Sequence, residues 1–99
     1  MKIPKVVKIL GWDIKVKYVK GLVYEGHDCF GLWSESESAI YLVKGMPIAR
    51  RREIFLHECI HAIVDISRMT LRHGMIATLS LSLGDILSQM ESKPRKKVK

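Results

Sequence analysis

Histidine is concentrated in one part of this chain. Three of its four histidines, His57, His61 and His73, lie between residues 57 and 73. His57, Glu58 and His61 form the pattern H-E-x-x-H. On a helix, residues four apart lie on one face, so both imidazoles can reach one metal ion. The adjacent glutamate can then accept a proton from a water that the ion activates, which is the chemistry of peptide-bond hydrolysis at zinc sites.

The alternative is that the two histidines are ordinary helix residues and that the pattern arose by chance. The segment from Phe55 to Ile66 is otherwise largely apolar, which is typical of a buried helix. Burying two imidazoles and a carboxylate there without partners would be costly. The pattern therefore favours a metal site.

A catalytic zinc usually has three protein ligands, and three downstream residues are candidates for the third. His73 is three residues before Ile76, so it shares the inward side of the last predicted helix. Asp85 is predicted to face solvent. Glu91 is in phase with His73 but lies about 27 Å further along the axis. We therefore predict that His57, His61 and His73 bind Zn²⁺ and that Glu58 is the general base.

Other side chains near the motif have less specific roles. Asp65, one turn after His61, could accept a hydrogen bond from that ligand's other ring nitrogen or could face solvent. Cys59 is predicted to pack in the core. The string at residues 27–29, His-Asp-Cys, resembles a ligand set but is predicted to belong to a loop. The segment GLWSES at residues 31–36 could form a sheet edge that pairs with an extended substrate.

No residue stands out as a stabiliser of negative charge in the transition state. The sequence leaves several candidates unranked, namely Tyr18, Tyr41 and the run Arg50, Arg51 and Arg52.

Strands precede helices along the chain. Alternating apolar and polar residues predict a strand over 12–19, and the other predicted strands cover residues 3–10, 31–35 and 38–44. Residues 21–31 are predicted to be a loop. One helix is predicted from just after Pro47 to about Ser67, and another over about 74–91.

This order predicts an α+β fold, with a small, mainly antiparallel N-terminal sheet of three to four strands packed on two C-terminal helices, the first of which carries H-E-x-x-H. The first helix is expected to be buried on several sides. The second is expected to bury one stripe by plain core packing, made of Ile76, Leu79, Leu83, Ile86, Leu87 and Met90.

Composition indicates a globular protein that acts inside the cell. The 99 residues fit a single domain at residues 1–92, and 47% hydrophobic residues are enough for a core. No segment has the apolar length of a membrane span or a signal peptide, and two cysteines are too few for a disulfide framework. We therefore expect a cytoplasmic protein of a bacterial host or phage, with no membrane partner.

The positive charge is unevenly distributed. Net charge is +7, and the tail at residues 93–99 carries five cations and no acid. The tail is predicted to be disordered, and weak nucleic-acid contact through it is the alternative. A second basic run, Arg50 to Arg52, is expected either to be solvated or to contact an acidic partner.

The stretch HECIHAIVDISRMTLRHG, with the strands before it and the helix after it, resembles small zinc metallopeptidases. It is similar to the gluzincin-like minimal peptidases related to the ImmA/IrrE and SprT-like groups, whose proteins are often encoded by phages. Many of these have a glutamate where this chain has His73, whereas the SprT-like group has His-Gly at that spacing. The SprT-like resemblance implies an all-histidine zinc site and work on DNA-bound proteins. The peptidase resemblance as a whole implies a peptide or protein substrate.

Two other functions remain open on the sequence. The chain could be a non-catalytic binding module that zinc stabilises, since metal binding and folding are coupled where a site forms only on folding. It could also be a phage accessory protein whose work is nucleic-acid contact through its basic tail. The first predicts that Glu58 is dispensable, and the second that residues 93–99 are essential.

Overall fold

The computed structural model describes residues 2–68 and 73–90, and in the latter range it describes the side chains at 78, 79 and 81–90. The tail at 93–99 lies outside these residues. The fold is α+β, as predicted. Its elements in chain order are β1 (Val6–Ile9), β2 (Trp12–Val19), β3 (Leu22–Tyr24), β4 (His27–Cys29), β5 (Gly31–Ser34), β6 (Ala39–Val43), α1 (Ile48–Ser67) and α2 (His73–Met90). Neither described helix is apolar enough over a sufficient length to cross a membrane.

Two tight turns connect the antiparallel strand pairs β1–β2 and β3–β4. Leu10 and Gly11 have φ of 49° and 86°, and Glu25 and Gly26 have φ of 50° and 80°. Positive φ at both central residues is the type I′ geometry, whose twist matches that of the flanking strands. The prediction of a loop over 21–31, with the string at 27–29 inside it, is therefore wrong, because the Glu-Gly turn folds this segment into a hairpin.

The main sheet has four strands in the order β1-β2-β6-β5. β1 pairs antiparallel with β2, and β5 antiparallel with β6, but β2 and β6 run parallel from Lys15↔Ala39 to Val19↔Val43. The sheet is therefore mixed. The alternation predicted for β2 is confirmed at the centre of the strand, where Ile14 and Val16 are buried, but Trp12 and Tyr18 at its ends are exposed.

Helix α1 begins directly after Pro47, whose ring restricts φ to about −65°. The Arg51 N–H donates to the Pro47 carbonyl at 2.9 Å. The helix ends at Ser67, and its C-cap residue Arg68 has a φ of 54°, in the left-handed region. Its buried residues recur at helical spacing and pack on the sheet, namely Phe55, Glu58, Cys59, Ala62 and Ile63. The opposite face includes Ile60 and Val64, which are 39% and 38% exposed. The expectation of burial on several sides is therefore wrong, because the sheet and α2 contact the helix and leave the face with Ile60 and Val64 exposed.

Helix α2 closes the core next to β1. Its predicted extent agrees with the structure within one residue at each end. Ile86 and Met90 are fully buried, but Leu87 is 39% exposed and Ser82 is buried instead, so the predicted stripe is wrong at Leu87. Compared with the predicted stripe, the buried face of α2 is rotated about the helix axis toward Ser82 and away from Leu87. Ile76 lies outside the described side chains.

Reciprocal hydrogen bonds attach α2 to β1. The Gln89 Nε2 donates to the Lys8 carbonyl at 2.9 Å, and the Lys8 N–H donates to the Gln89 Oε1 at the same distance. The Lys2 N–H donates to the Met90 carbonyl. These hydrogen bonds hold α2 against β1. The candidate site lies elsewhere, between α1 and the β5 edge.

Candidate metal centre and cleft

The two histidines of the motif face each other on the exposed side of α1. Their Nε2 atoms are 3.2 Å apart, and their ring centroids are 4.8 Å apart with the planes at 72°. Two nitrogens bound at about 2.0–2.1 Å to one tetrahedral zinc are separated by about 3.3–3.4 Å. The pair therefore fits two positions on one ion. A single N–H···N hydrogen bond has a similar length, and metal analysis distinguishes the two.

Glu58 lies between this histidine pair and the sheet. The residue is only 8% exposed. The pKa of its carboxyl is raised, because burial disfavours the charged form. The charges of His61 and His57 and a hydrogen bond from the Trp33 backbone N–H act in the opposite direction and are smaller effects. A carboxylate in this position is held by the strand on one side and faces the imidazoles on the other.

Strand β5 is the edge of the main sheet beside α1. The Val43 N–H donates to the Phe30 carbonyl at 3.0 Å, so in the antiparallel register residues 30, 32 and 34 bond to β6. The polar backbone groups of Gly31 and Trp33 therefore point to the free edge. This is the region where the sequence suggested that an extended substrate could pair.

Gly31 allows β5 to approach α1 closely. A Cβ at this position would lie 2.5 Å from Cγ2 of Ile54 and 3.1 Å from Cγ of Glu58. Ile54 is β-branched and rigid at χ1, so its methyl group has little freedom to move away. The glycine thus sets the distance between the edge strand and the candidate base.

The Gly31→Ala variant is expected to lose about 1–3 kcal/mol of unfolding free energy, because the added methyl group overpacks the contact between β5 and α1. Urea unfolding monitored by circular dichroism measures this loss. Gly21→Ala is the matched control, since nothing lies within 4 Å of a Cβ there and its stability is expected to be nearly unchanged. Equal stability of the two variants would show that the close approach is absent.

Asp65 is linked to the edge strand. Its Oδ2 accepts a hydrogen bond of 2.7 Å from the indole Nε1 of Trp33. The sequence left two roles open, a partner for the His61 ring or a solvent-facing residue. Asp65 is exposed, and in the described part of the chain its hydrogen-bond partner is Trp33. This bond joins β5 to α1 one turn beyond His61.

A cleft of about 290 Å³ opens between the β3–β4 hairpin, β5 and α1. Its lining residues are Tyr24, Cys29, Gly31, Leu32, Trp33, Glu58, His61 and Asp65. Sequence reasoning missed Tyr24 and placed Cys29 in a plain loop. The Glu-Gly pair at residues 25–26 is the signal that could have revealed the hairpin, and with it the second wall of the cleft.

The predicted third ligand and its alternatives lie on or just after α2. His73 is the first residue of α2, and its side chain lies outside the described part of the chain. Glu91 also lies outside it. Asp85 is exposed, as predicted, and accepts a hydrogen bond from Gln89. Within the described side chains, no three His, Cys, Asp or Glu residues are grouped closely enough to share an ion.

The residues left unranked as stabilisers of negative charge do not line the cleft. The Tyr41 hydroxyl donates to Glu37, and this bond raises the pKa of the phenol. The Arg51 guanidinium lies over the Tyr18 ring. Tyr24 is the tyrosine that lines the cleft.

The two cysteines are expected to differ in reactivity, because burial and the nearby charge of Glu58 raise the pKa of the Cys59 thiol to about 12. The thiolate is the reactive form, so at about pH 8 Cys59 is almost entirely unreactive in the native protein. Cys29 is partly exposed. A colorimetric thiol assay is therefore expected to detect one fast thiol per native chain and two after unfolding. The Cys29→Ser variant is expected to lose the fast reaction, and two fast thiols in native protein would contradict the burial of Cys59.

Comparison of the chain with known proteins finds no similar protein. No family model matches the chain, and neither the curated proteins nor the solved structures include a match. What supports a function is therefore the arrangement of His57, Glu58 and His61 beside the β5 edge, a constellation that is typical of a zinc-dependent hydrolase.

Proposed function

We propose that this protein is a zinc-dependent peptidase that hydrolyses a peptide bond in a protein or peptide substrate. The observation that carries the proposal is the 3.2 Å separation of the His57 and His61 Nε2 atoms, with the carboxylate of Glu58 close enough to interact electrostatically with both. These two nitrogens would hold Zn²⁺, with His73 as the proposed third ligand. Neutral imidazoles at this spacing are the donors that zinc prefers.

When bound, the zinc ion would polarise the scissile carbonyl and make a water acidic enough to lose a proton near neutral pH. Glu58 would accept that proton on a carboxylate oxygen as the water oxygen bonds to the carbonyl carbon. As the C–N bond breaks, the same carboxyl would give the proton to the departing amine nitrogen. Water is thus added across the peptide bond, and Glu58 returns to its starting state.

The β5 edge supports the positioning of an extended substrate. The backbone groups of Gly31 and Trp33 are directed away from β6. The Trp33 N–H donates to Glu58, so a peptide could pair as an added strand with the Gly31 groups and the Trp33 carbonyl. Such a peptide would run beside α1 and past Glu58. The hairpin residues Tyr24 and Cys29 form the far wall of the cleft and would contact the substrate's side chains.

A peptide library derived from a bacterial proteome tests this proposal, with new chain ends identified by mass spectrometry. We expect cleavage products with the zinc-loaded protein, their loss after treatment with a chelator, and their return when zinc is added. Absence of products with protein that contains stoichiometric zinc would contradict the catalytic proposal. That result would favour the zinc-stabilised binding module.

A further inference from the structure

One end of the main sheet gathers positive charge from two separate segments. Residues 18–24 and 44–52 together contain five Lys or Arg residues and no Asp or Glu. Because β2 and β6 are parallel neighbours, their carboxyl ends meet, and the Lys44 N–H donates to the Val19 carbonyl at 2.8 Å. Helix α1 starts at the same end, with no acidic residue in its first turn. We call this surface the basic end and define it by Tyr18, Lys20, Phe30, Lys44, Arg50 and Arg51.

Two exposed aromatic rings lie among these cations. Tyr18 is 40% exposed and Phe30 is 50% exposed. The Arg51 guanidinium lies 5.9 Å from the centroid of the Tyr18 ring, and the Arg50 guanidinium lies 5.4 Å from that of Phe30. Aromatic rings next to planar guanidinium groups provide flat surfaces on which other flat groups can stack.

Most cations of the basic end have no close carboxylate partner in the described part of the chain. Lys8 pairs with Asp13 at 3.2 Å, and Arg68 pairs with Glu35 at 2.7 Å. At the basic end, Arg50 has a long ion pair of 3.8 Å with Glu53. Among the residues that the structure describes, Lys20, Lys44 and Arg51 have no carboxylate within ion-pair distance. The same is true of Lys5, Lys15 and Lys17 elsewhere on the body. What distinguishes the basic end is therefore that its cations are gathered beside two exposed aromatic rings.

The positive end of the α1 dipole adds to this charge. The first backbone N–H groups of α1 have no side-chain cap. Like charges gathered at one surface repel each other, and a bound anion relieves that repulsion. The arrangement is therefore complementary to a partner with several negative charges.

We propose that the basic end binds single-stranded nucleic acid. Its phosphates would contact Lys20, Lys44 and the arginines, and unpaired bases would stack on Tyr18 and Phe30. An acidic protein segment would satisfy the charges but not the aromatic rings. The bases of a duplex are already stacked on one another, so the rings could not reach their faces. None of the residues that define the basic end lines the peptidase cleft, and none belongs to the basic tail segment at 93–99.

The test uses three full-length double variants that each remove two positive charges. Lys20→Gln with Lys44→Gln changes the basic end, Lys5→Gln with Lys15→Gln changes exposed lysines elsewhere on the body, and Lys96→Gln with Lys97→Gln changes the tail. The probe is a fluorescein-labelled oligothymidylate of about 20 nucleotides, longer than one small domain covers. Its anisotropy is measured at salt concentrations between about 50 and 200 mM.

We expect the basic-end variant to bind the oligonucleotide about tenfold or more weakly than the unmodified chain at about 100 mM salt. The slope of log affinity against log salt concentration is expected to be shallower by about 1.4, as the loss of two phosphate contacts implies. The body variant is expected to change much less. Phe30→Leu is expected to weaken binding about fivefold or more without changing the salt slope, because it removes a stacking surface and no charge.

Several outcomes would overturn the proposal. Equal losses in all three double variants would show unspecific charge attraction, and a loss in the tail variant alone would place binding in the tail. Equal affinity for a duplex of the same length would remove the stacking argument. Competition by polyglutamate as effective as that of unlabelled oligothymidylate would identify an acidic protein as the better partner.

Discussion

The Glu58→Gln variant is expected to hydrolyse peptides about 10²–10⁴-fold more slowly than the unmodified protein, because general acid–base catalysis contributes about that factor. The amide keeps the shape of the carboxyl but cannot accept a proton from water. Initial rates of cleavage on one substrate from the peptide library measure the effect. Zinc content per chain is expected to stay unchanged, because the nitrogens of His57 and His61 remain in place.

Glu53→Gln is the matched control for this variant. Glu53 is an exposed carboxylate on the same helix, and its described contact is the long ion pair with Arg50. Its removal is expected to leave the cleavage rate within about twofold of the unmodified protein, since exposed ion pairs contribute little. Equal rates for Glu58→Gln and the unmodified protein would remove Glu58 from the chemistry. Another group would then have to accept the proton from water.

The Phe55→Ala variant is expected to lose about 3–5 kcal/mol of unfolding free energy, since truncating a buried phenylalanine removes apolar contacts and leaves a cavity. Phe55 is fully buried on the face of α1 that packs on the sheet. Small domains have a total stability of about 5–15 kcal/mol, so this loss is a large part of the whole. Urea unfolding monitored by far-ultraviolet circular dichroism measures it.

Val64→Ala is the control for that experiment, because Val64 lies on the exposed face of the same helix. It is expected to cost less than about 1 kcal/mol. Similar losses in the two variants would contradict the one-sided burial of α1. They would also restore the expectation, taken from the sequence, that this helix is covered on several sides.

Local patterns in the sequence were sufficient to predict the elements that carry the motif. The alternation in residues 12–19 corresponds to β2, and Pro47 marks the start of α1, because each signal depends on a few adjacent residues. The spacing of His57 and His61 predicted that their rings share a face, and their Nε2 atoms are 3.2 Å apart. Neighbours on a helix are determined by its geometry alone.

Features that depend on distant parts of the chain were not predictable in this way. The parallel pairing of β2 with β6 joins residues about two dozen positions apart, and no local signal encodes it. The β3–β4 hairpin was missed because its strands have three residues each and its turn is Glu-Gly rather than the more common Asn-Gly. The exposure of Ile60 depends on which face the sheet covers, which apolar composition does not specify.

The same distinction applies to the candidate site. The motif identified His57, Glu58 and His61, but not the wall that Tyr24 and Cys29 contribute. Nor could the sequence show that Gly31 brings β5 close to Glu58, since that contact joins residues far apart in the chain. Long-range packing, rather than the motif, determines what surrounds the candidate base.

Zinc content per chain, measured by elemental analysis of protein purified without added metal, tests the proposed metal centre most directly. We expect about one zinc per chain in the unmodified protein, as one three-ligand site implies. The loss of zinc is expected in His57→Ala, His61→Ala and His73→Ala. His27→Ala is the control, because His27 lies on β4 and belongs to no proposed site, and it is expected to keep its zinc. No zinc in the unmodified protein and no uptake on titration would contradict the metal centre, as would full retention of zinc when His57 or His61 is replaced.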